Sequence, residues 1–185
     1  MTDSRPNGTD AGATIWLTGL PSSGKSTIAR HAAKRLEGDG HRVEILDGDE
    51  IRSRFGARGF TRADRDLNVR QIGWAAELLA RHGVKVLVPV IAPYAESRLA
   101  VREQHELAGV RFLEVHVAAP VEICSRRDVK GLYALQRSGQ LTGLTGVDDP
   151  YESPESPELC LRTEAFEIDE TVDQLMAMLS FRGLV

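Results

Sequence analysis

The segment at residues 19–26, GLPSSGKS, matches the pattern GxxxxGK[ST] and constrains the fold more than any other feature of this chain. A short apolar run rich in β-formers precedes it at residues 13–18. A segment with helical apolar spacing follows it at residues 26–36. Strand, glycine-rich loop and helix in this order are typical of a phosphate-binding loop, or P-loop. The sequence therefore predicts an α/β fold with a phosphate site.

The alternation of strand and helix patterns continues along the rest of the chain. Further strands are predicted at residues 42–46, 84–90, 112–117 and 159–163, and further helices at residues 67–80, 95–107, 121–127 and 171–179. This alternation favours a doubly wound parallel sheet with helices on both faces. A length of 185 residues is typical of one domain.

Two segments depart from this alternating pattern. Residues 1–12 are polar and are expected to be disordered, which leaves a single domain over residues 13–185. Residues 128–157 lose the apolar period and carry several glycine and proline turn signals. We expect this second segment to be either a mobile lid or an irregular surface excursion.

Overall charge and composition restrict the partners of the protein. The net charge of −4 and pI near 5.8 argue against a general nucleic-acid binder. The longest apolar stretch is about half as long as a membrane span, so no membrane contact is expected. Cys124 and Cys160 lack CxxC spacing and favour structural thiols in a reducing compartment. The expected location is the cytoplasm.

The P-loop residues have separate chemical tasks. Gly19 and Gly24 let the backbone turn its N–H groups toward phosphate oxygens, and the following helix N-terminus favours negative charge. Lys25 is expected to reach the β- and γ-phosphates of a bound ligand. Ser26 is expected to offer its hydroxyl to Mg²⁺ as cofactor.

Two carboxylates follow the second predicted strand, in the segment VEILDGD at residues 43–49. Asp47 and Asp49 are expected at the carboxyl edge of the sheet, where doubly wound folds bind ligands. One can hold Mg²⁺ or its water shell, and the other can accept a proton from an attacking hydroxyl. The alternative is an Asp-Gly turn with Asp49 capping a helix.

The remaining motifs narrow the class of P-loop protein. None of the four lysines lies in the NKxD or TKxD that a GTPase needs, and the chain is too short for a large ATPase motor. Six arginines between residues 51 and 70 indicate an anionic ligand. These observations favour a small-molecule kinase.

Six segments in order resemble the adenylyl-sulfate (APS) kinase family. They are GLPSSGKST at residues 19–27, DGDEIR at 47–52, GFTRADRDLNVR at 59–70, IAPY at 91–94, RDVKGLY at 127–133 and TGLTGVDDPYE at 142–152. The resemblance implies a P-loop kinase fold, usually dimeric, that moves the γ-phosphoryl of ATP to the 3′-hydroxyl of APS. The products would be PAPS and ADP, in sulfate assimilation, with Mg²⁺ required. An ATP sulfurylase on a separate chain stays open as a partner.

The resemblance also implies roles for individual residues. Asp49 resembles the base and Asp47 the magnesium-side carboxylate, although the two can exchange roles, and both are grouped with Lys25 as catalytic. The implied ATP-binding residues are Gly19, Ser22, Ser23, Gly24, Lys25, Ser26, Thr27 and Arg127. The implied metal ligands are Ser26 and Asp47. The implied substrate-binding residues are Arg52, Phe60, Arg65, Asn68, Ile91, Ala92, Lys130 and Leu144.

Several of these residues also have simpler interpretations. Arg52, Arg65 and Asn68 could belong to a solvated arginine-rich helix face. Phe60, which resembles the aromatic that stacks on the substrate adenine, could plug a loop. Arg127 could be an ordinary arginine at a helix C-terminus.

Four positions depart from the family pattern: Ala92 replaces a frequent Ser, Leu144 a usual Phe, Ala95 a frequent Arg and Leu67 a usual Glu. We expect ordinary drift. The alternative is a diverged kinase of the same fold that acts on another nucleotide or sulfated nucleoside.

A third interpretation is a nucleotide-binding regulatory module without turnover. Intact Lys25, Ser26, Asp47 and Asp49 argue against this interpretation.

Overall fold

The structure is a computed structural model that describes residues 11–54, 59 and 61–185. Residues 1–10, where most of the predicted disordered start falls, lie outside the described residues. Phe60 lies outside them as well.

The described chain forms a parallel sheet in the order β2-β3-β1-β4-β5. The strands are β1 (Ala13–Thr18), β2 (Val43–Ile45), β3 (Lys85–Pro89), β4 (Arg111–Ala118) and β5 (Leu159–Arg162). The central strand pairs on both sides, with Ile15 opposite Leu87 and Leu113. The doubly wound parallel sheet predicted from the sequence is confirmed, with strand ends within one or two residues of the prediction.

Helices connect the strands and cover both faces of the sheet. They are α1 (Lys25–Gly38), α2 (Gly48–Arg54), α3 (Arg62–Arg81), α4 (Ala95–Leu107), α5 (Val121–Arg127), α6 (Leu132–Arg137) and α7 (Ile168–Phe181). Across the described ranges, none of these helices combines the length and apolar character that a membrane span requires.

The side-chain alternation of β1 separates two hydrophobic layers. Ile15 and Leu17 belong to the cluster that packs against α1 and α7. Trp16 points to the opposite face and belongs to the cluster that packs against α3 and α4. Because helices cover both faces of the sheet, the central strands β1 and β3 are buried along their whole length.

Helix α3 begins five residues earlier than the sequence predicts, because its first turn is polar. Thr61 caps the helix: its side chain accepts from the Asp64 N–H at 3.2 Å, and the Asp64 carboxylate accepts from the Thr61 N–H at 3.1 Å. This reciprocal capping box stabilises a helix start that carries no apolar period.

Two helices are absent from the predicted pattern. Helix α2 buries none of its side chains, so it shows no apolar spacing in the sequence. Helix α6 lies inside residues 128–157, where the apolar period fades. The Asp128 carboxylate accepts from the N–H groups of Tyr133 and Ala134 at the start of α6, which supplies a cap that the sequence pattern does not reveal.

Candidate active site

The P-loop connects β1 to α1 at the carboxyl edge of the sheet. A Cβ on Gly19 would lie 2.5 Å from the Val117 carbonyl oxygen, so only glycine fits there. Gly24 caps α1 at φ 106°, in the left-handed region that side chains disfavour. Both glycines are therefore required by the loop path, as the sequence predicts.

Lys25 lies buried behind this loop. Its ammonium donates to the carbonyl oxygens of Gly19 at 2.9 Å and Leu20 at 2.7 Å. Burial lowers the pKa of Lys25 to about 8, because desolvation penalises the charged form. The P-loop thus holds a lysine whose proton is labile near neutral to mildly alkaline pH.

Ser26 and the two predicted carboxylates meet in front of the loop. The Ser26 hydroxyl donates to Asp47 Oδ2 at 2.8 Å. The other oxygen of Asp47 accepts from the Asp49 N–H at 3.0 Å, so Asp47 rather than Asp49 caps α2. Asp49 is free of that task, and its carboxylate pairs with the Lys130 ammonium. The two carboxylates therefore have different surroundings despite their adjacent positions.

One large cavity of about 910 Å³ runs along this edge of the sheet. Such a volume lies toward the upper end of the range for ligand pockets. The cavity is lined by the predicted residues Ser22, Gly24, Lys25, Ser26, Thr27, Asp47, Asp49, Arg52, Arg65, Asn68, Ile91, Ala92, Arg127, Lys130 and Leu144. Gly19 and Ser23 are buried beneath the loop and support it instead.

Arg127 closes one end of the cavity and is not an isolated helix-terminal arginine. Its guanidinium donates to the Thr163 carbonyl at 2.6 Å and to the Thr163 hydroxyl at 3.0 Å. That hydroxyl donates in turn to the Ser23 carbonyl at 2.9 Å. Arg127 is thereby fixed to the P-loop through the loop that precedes α7.

The opposite end of the cavity carries positive charge. Burial holds the pKa of Arg52 below its usual value, and the neighbouring charge of Arg65 acts in the same direction. Arg65 is 8% exposed, which contradicts a solvated arginine face at that position. Two guanidinium groups close enough to repel each other suit an anionic ligand between them.

Asn68 adds a polar group to this end. Its side chain is buried, and within the described residues its Oδ1 has no hydrogen-bond partner. A buried acceptor without a partner is costly unless a ligand or water satisfies it. Asn68 is therefore well placed to receive a hydrogen bond from a bound molecule.

Ile91 and Ala92 form the wall beside the sheet. The Ile91 carbonyl accepts from the Thr18 hydroxyl at 2.6 Å. Ala92 adopts a φ of 43°, in the left-handed region that is uncommon for residues other than glycine. The wall is thus held by specific contacts rather than by a regular element.

Residues 128–157 pack against the P-loop more extensively than the sequence predicts. Tyr133 and Leu144 are buried together with Cys124, and the Tyr133 hydroxyl donates to the Pro21 carbonyl at 3.0 Å. The Val129 N–H donates to Ser22 Oγ at 3.2 Å. Residues 128–157 therefore contact the P-loop, and their role as a mobile lid stays a prediction. The predicted stacking of Phe60 opposite Leu144 lies outside the described residues.

Two groups of site residues were not found from the sequence. Thr163 and Phe166 line the cavity, although their surrounding sequence showed no motif. Arg98 is buried on α4 and contacts the wall at Ala92. Its spacing with Val101 and His105 places it on the buried face of the helix. A charged residue on that face was the sequence signal that could have identified Arg98.

The residues present fit a magnesium ion. Mg²⁺ is usually held by one or two protein oxygens, with substrate phosphates and water completing its shell. Ser26 Oγ and Asp47 Oδ2 supply two such oxygens beside the P-loop. Within the described residues, no group of three or more His, Cys, Asp or Glu could hold a metal ion.

The fold and the cavity define a P-loop kinase. An enzyme of this class has a loop that binds phosphate, a second end of the site that binds an anion, and carboxylates between the two. Comparison with known proteins narrows the class. The family described as Adenylylsulphate kinase matches residues 11–162. The chain belongs to this family.

Individual relatives agree with this membership over most of their length. A probable adenylyl-sulfate kinase of Synechocystis sp. is 49% identical over 89% of this chain and 91% of its own. An adenylyl-sulfate kinase of Synechococcus sp. is 49% identical over 93% and 96%. The structure of the Mycobacterium tuberculosis APS kinase in complex with AMPPNP and APS is 43% identical, with a TM-score of 0.89 over 92% of this chain and 98% of that chain. The family and fold predicted from the sequence are confirmed.

Proposed function

We propose that this protein transfers the γ-phosphoryl group of ATP to the 3′-hydroxyl of adenylyl sulfate, which yields PAPS and ADP. The observation that carries the proposal is one cavity with a phosphate-binding loop at one end and Arg52 and Arg65 at the other. Asp47 and Asp49 line the same cavity as these two ends, so the two substrates can meet beside the two carboxylates. The relative of known structure binds AMPPNP and APS, which supports the same pair of ligands here.

The P-loop end would bind ATP. Backbone N–H groups between Gly19 and Lys25 and the N-terminus of α1 would face the phosphates. The Lys25 ammonium would leave the Gly19 and Leu20 carbonyls and bind the β- and γ-phosphates. Arg127, fixed by Thr163, would lie along the adenine.

The opposite end would bind APS. Arg52 and Arg65 would pair with the phosphate and sulfate oxygens, since planar guanidinium groups bind such oxyanions in a bidentate manner. The unpartnered Oδ1 of Asn68 would accept from a ribose hydroxyl. Lys130 would approach the phosphates, and Leu144 would form an apolar wall for the adenine.

The different contacts of the two carboxylates support one division of labour. Asp47 is hydrogen-bonded to Ser26 and would serve the metal side with it. Asp49 would accept the proton of the 3′-hydroxyl as the 3′-oxygen forms its bond to the γ-phosphorus and the bond to the β-phosphate oxygen of ADP breaks. Mg²⁺, when bound, would neutralise charge on the β- and γ-phosphates during this transfer.

Further features of the family remain proposals for this chain. We expect a homodimer in the cytoplasm, with residues 128–157 acting as a lid and the single domain spanning residues 13–185. An APS kinase of Thiobacillus denitrificans is described as hexameric, so assembly varies among similar proteins. An ATP sulfurylase on a separate chain is the partner that would supply APS.

A substrate panel tests the proposed function directly. The protein is incubated with Mg-ATP and APS, AMP, adenosine or other nucleoside monophosphates, and ADP and the phosphorylated product are followed. We expect APS to be used with the highest kcat/KM. A tenfold preference for another nucleotide would instead establish a diverged kinase, and absence of transfer to every acceptor would favour a regulatory module. Lys25→Ala supplies the background rate.

A further inference from the structure

Arg98 is a buried arginine that joins two segments at the rim of the cavity. It lies in the first half of α4 and is 3% exposed. Its Nη1 donates to the Ala92 carbonyl at 2.8 Å, and its Nη2 donates to the Glu152 carbonyl at 2.7 Å. Its Nε donates to Glu114 Oε1 at 2.7 Å. One guanidinium thus holds two backbone carbonyls in place while a carboxylate fixes the guanidinium.

The first of these carbonyls belongs to the cavity wall. Ala92 keeps a left-handed backbone, which persists in proteins only where the surroundings determine it. The neighbouring carbonyl of Ile91 is held separately by Thr18. The bond from Arg98 therefore acts on the one wall residue whose conformation is intrinsically unfavourable.

The second carbonyl belongs to Glu152, near the C-terminal end of the proposed lid at residues 128–157, and we call this part the lid base. The Glu152 N–H donates to the Pro93 carbonyl at 2.8 Å, and its carboxylate accepts from the Ala95 N–H at 2.6 Å. Upstream of Glu152, the turn at Gly143 and Thr145 accepts hydrogen bonds from Arg65 on α3. The wall and the lid base are therefore one hydrogen-bonded unit with Arg98 at its centre.

Within the described residues, Arg98 and Glu152 make no hydrogen bond to the P-loop, to Arg127 or to Thr163. A change at Arg98 should consequently move Ala92 and the lid base while the ATP end keeps its geometry.

We propose that Arg98 is a positioning residue that sets the APS subsite by fixing the Ala92 wall to the lid base at Glu152. The inference rests on the proposed function, since it assigns the wall to APS. Arg98 does not touch the reacting atoms and acts through the two carbonyls.

The neighbouring Arg102 offers a matched control on the same helix. It lies one turn further on, pairs with Glu158 through two hydrogen bonds of 2.8 and 2.9 Å, and approaches Glu114 at 3.7 Å. Within the described residues, none of its hydrogen bonds reaches the carbonyl of Ala92 or of Glu152. Arg102→Lys therefore makes the same chemical change in the same charge network without touching the wall.

The experiment compares Arg98→Lys with Arg102→Lys in steady-state kinetics and in separate binding measurements for ATP and APS. A lysine at position 98 keeps the charge beside Glu114, but one ammonium cannot reproduce the three-way fork of a guanidinium. We expect KM for APS to rise about tenfold or more in Arg98→Lys, because small misplacements of a binding wall have large effects on productive binding. KM for ATP should change less than about twofold, and Arg102→Lys should change neither constant by more than about twofold.

Three results would overturn the inference. One is an equal rise of both KM values in Arg98→Lys, the second is the same APS defect in Arg102→Lys, and the third is loss of folding in Arg98→Lys while Arg102→Lys folds. Failure of the proposed function has a different signature, because the unmodified protein would then neither bind APS nor phosphorylate it. Thermal unfolding of both variants separates a positioning effect from general destabilisation.

Discussion

Arg65 and Asp149 form an ion pair at the wall of the cavity, with 3.1 Å between Nη2 of the guanidinium and Oδ2 of the carboxylate. The same guanidinium donates to the Gly143 carbonyl at 2.6 Å and to the Thr145 hydroxyl. An arginine assigned to the APS anion is thus bound to acceptors of the lid. The Asp149 carboxylate occupies Arg65 in the way that a substrate oxyanion would.

Asp149→Asn is expected to tighten APS binding. The substitution removes the negative charge that competes for Arg65 and keeps the size of the side chain. The Asp149 carboxylate is partly exposed, so loss of its charge should be worth about 0.5–1 kcal/mol, which corresponds to about a twofold to fivefold lower Kd for APS. Titration of APS into the unmodified protein and into Asp149→Asn measures the change in Kd, with ATP affinity as the control. Weaker APS binding in the variant would mean that the pair supports the binding geometry.

Asp49→Asn and Asp47→Asn are expected to fail in different ways. Loss of the base at Asp49 should lower kcat by about 10²–10⁴ with little change in KM for APS, because the interaction acts mainly in the transition state. Asp47→Asn should instead raise the Mg²⁺ concentration that gives half-maximal rate. Kinetics at varied Mg²⁺ distinguish the two. A shared response in both variants would reject the division of labour between these carboxylates.

ATP affinity is expected to fall as the pH rises above about 8. Lys25 has its pKa lowered to about 8 by burial, while phosphate binding favours its protonated form and raises the pKa in the complex. Above pH 8 the protein must therefore take up a proton when ATP binds, and affinity should drop by up to about tenfold per pH unit. Calorimetry in two buffers of different ionisation enthalpy measures this uptake. APS binding is the control and should show no proton uptake. A constant ATP affinity from pH 7 to 9.5 would contradict the role of Lys25.

Leu144→Phe is expected to tighten APS binding by about threefold to tenfold. An aromatic ring can stack on adenine, which is worth about 0.5–1.5 kcal/mol beyond apolar contact. Leu144 is buried beside Cys124 and Tyr133, so the larger ring must also fit this cluster. KM for APS and the midpoint of thermal unfolding are measured together. A lower midpoint with weaker APS binding would show that the position serves packing rather than the substrate.

The parts of the molecule that the sequence predicts are those with a local signal. Lys25 and Ser26 lie at fixed spacing in one motif, and Asp47 ends a strand whose apolar run is visible, so their places could be predicted. The partner of Arg65 could not, since Asp149 reaches it only through the tertiary fold. The role of Arg98 could not be predicted either, because it depends on two backbone carbonyl oxygens that lie outside its helix.

Lys25 donates to two carbonyl oxygens of its own loop, at Gly19 and Leu20. These acceptors belong to the same chain as the lysine. They therefore compete with phosphate for its ammonium at a constant effective concentration, whatever the nucleotide concentration in solution. Arrival of ATP is therefore an exchange of one set of hydrogen bonds for another. The reverse exchange accompanies the departure of ADP, since the loop can recapture its lysine as the product phosphates withdraw. Under the proposed function, the loop that binds the nucleotide would also help to release it, which would favour repeated turnover over tight retention of product.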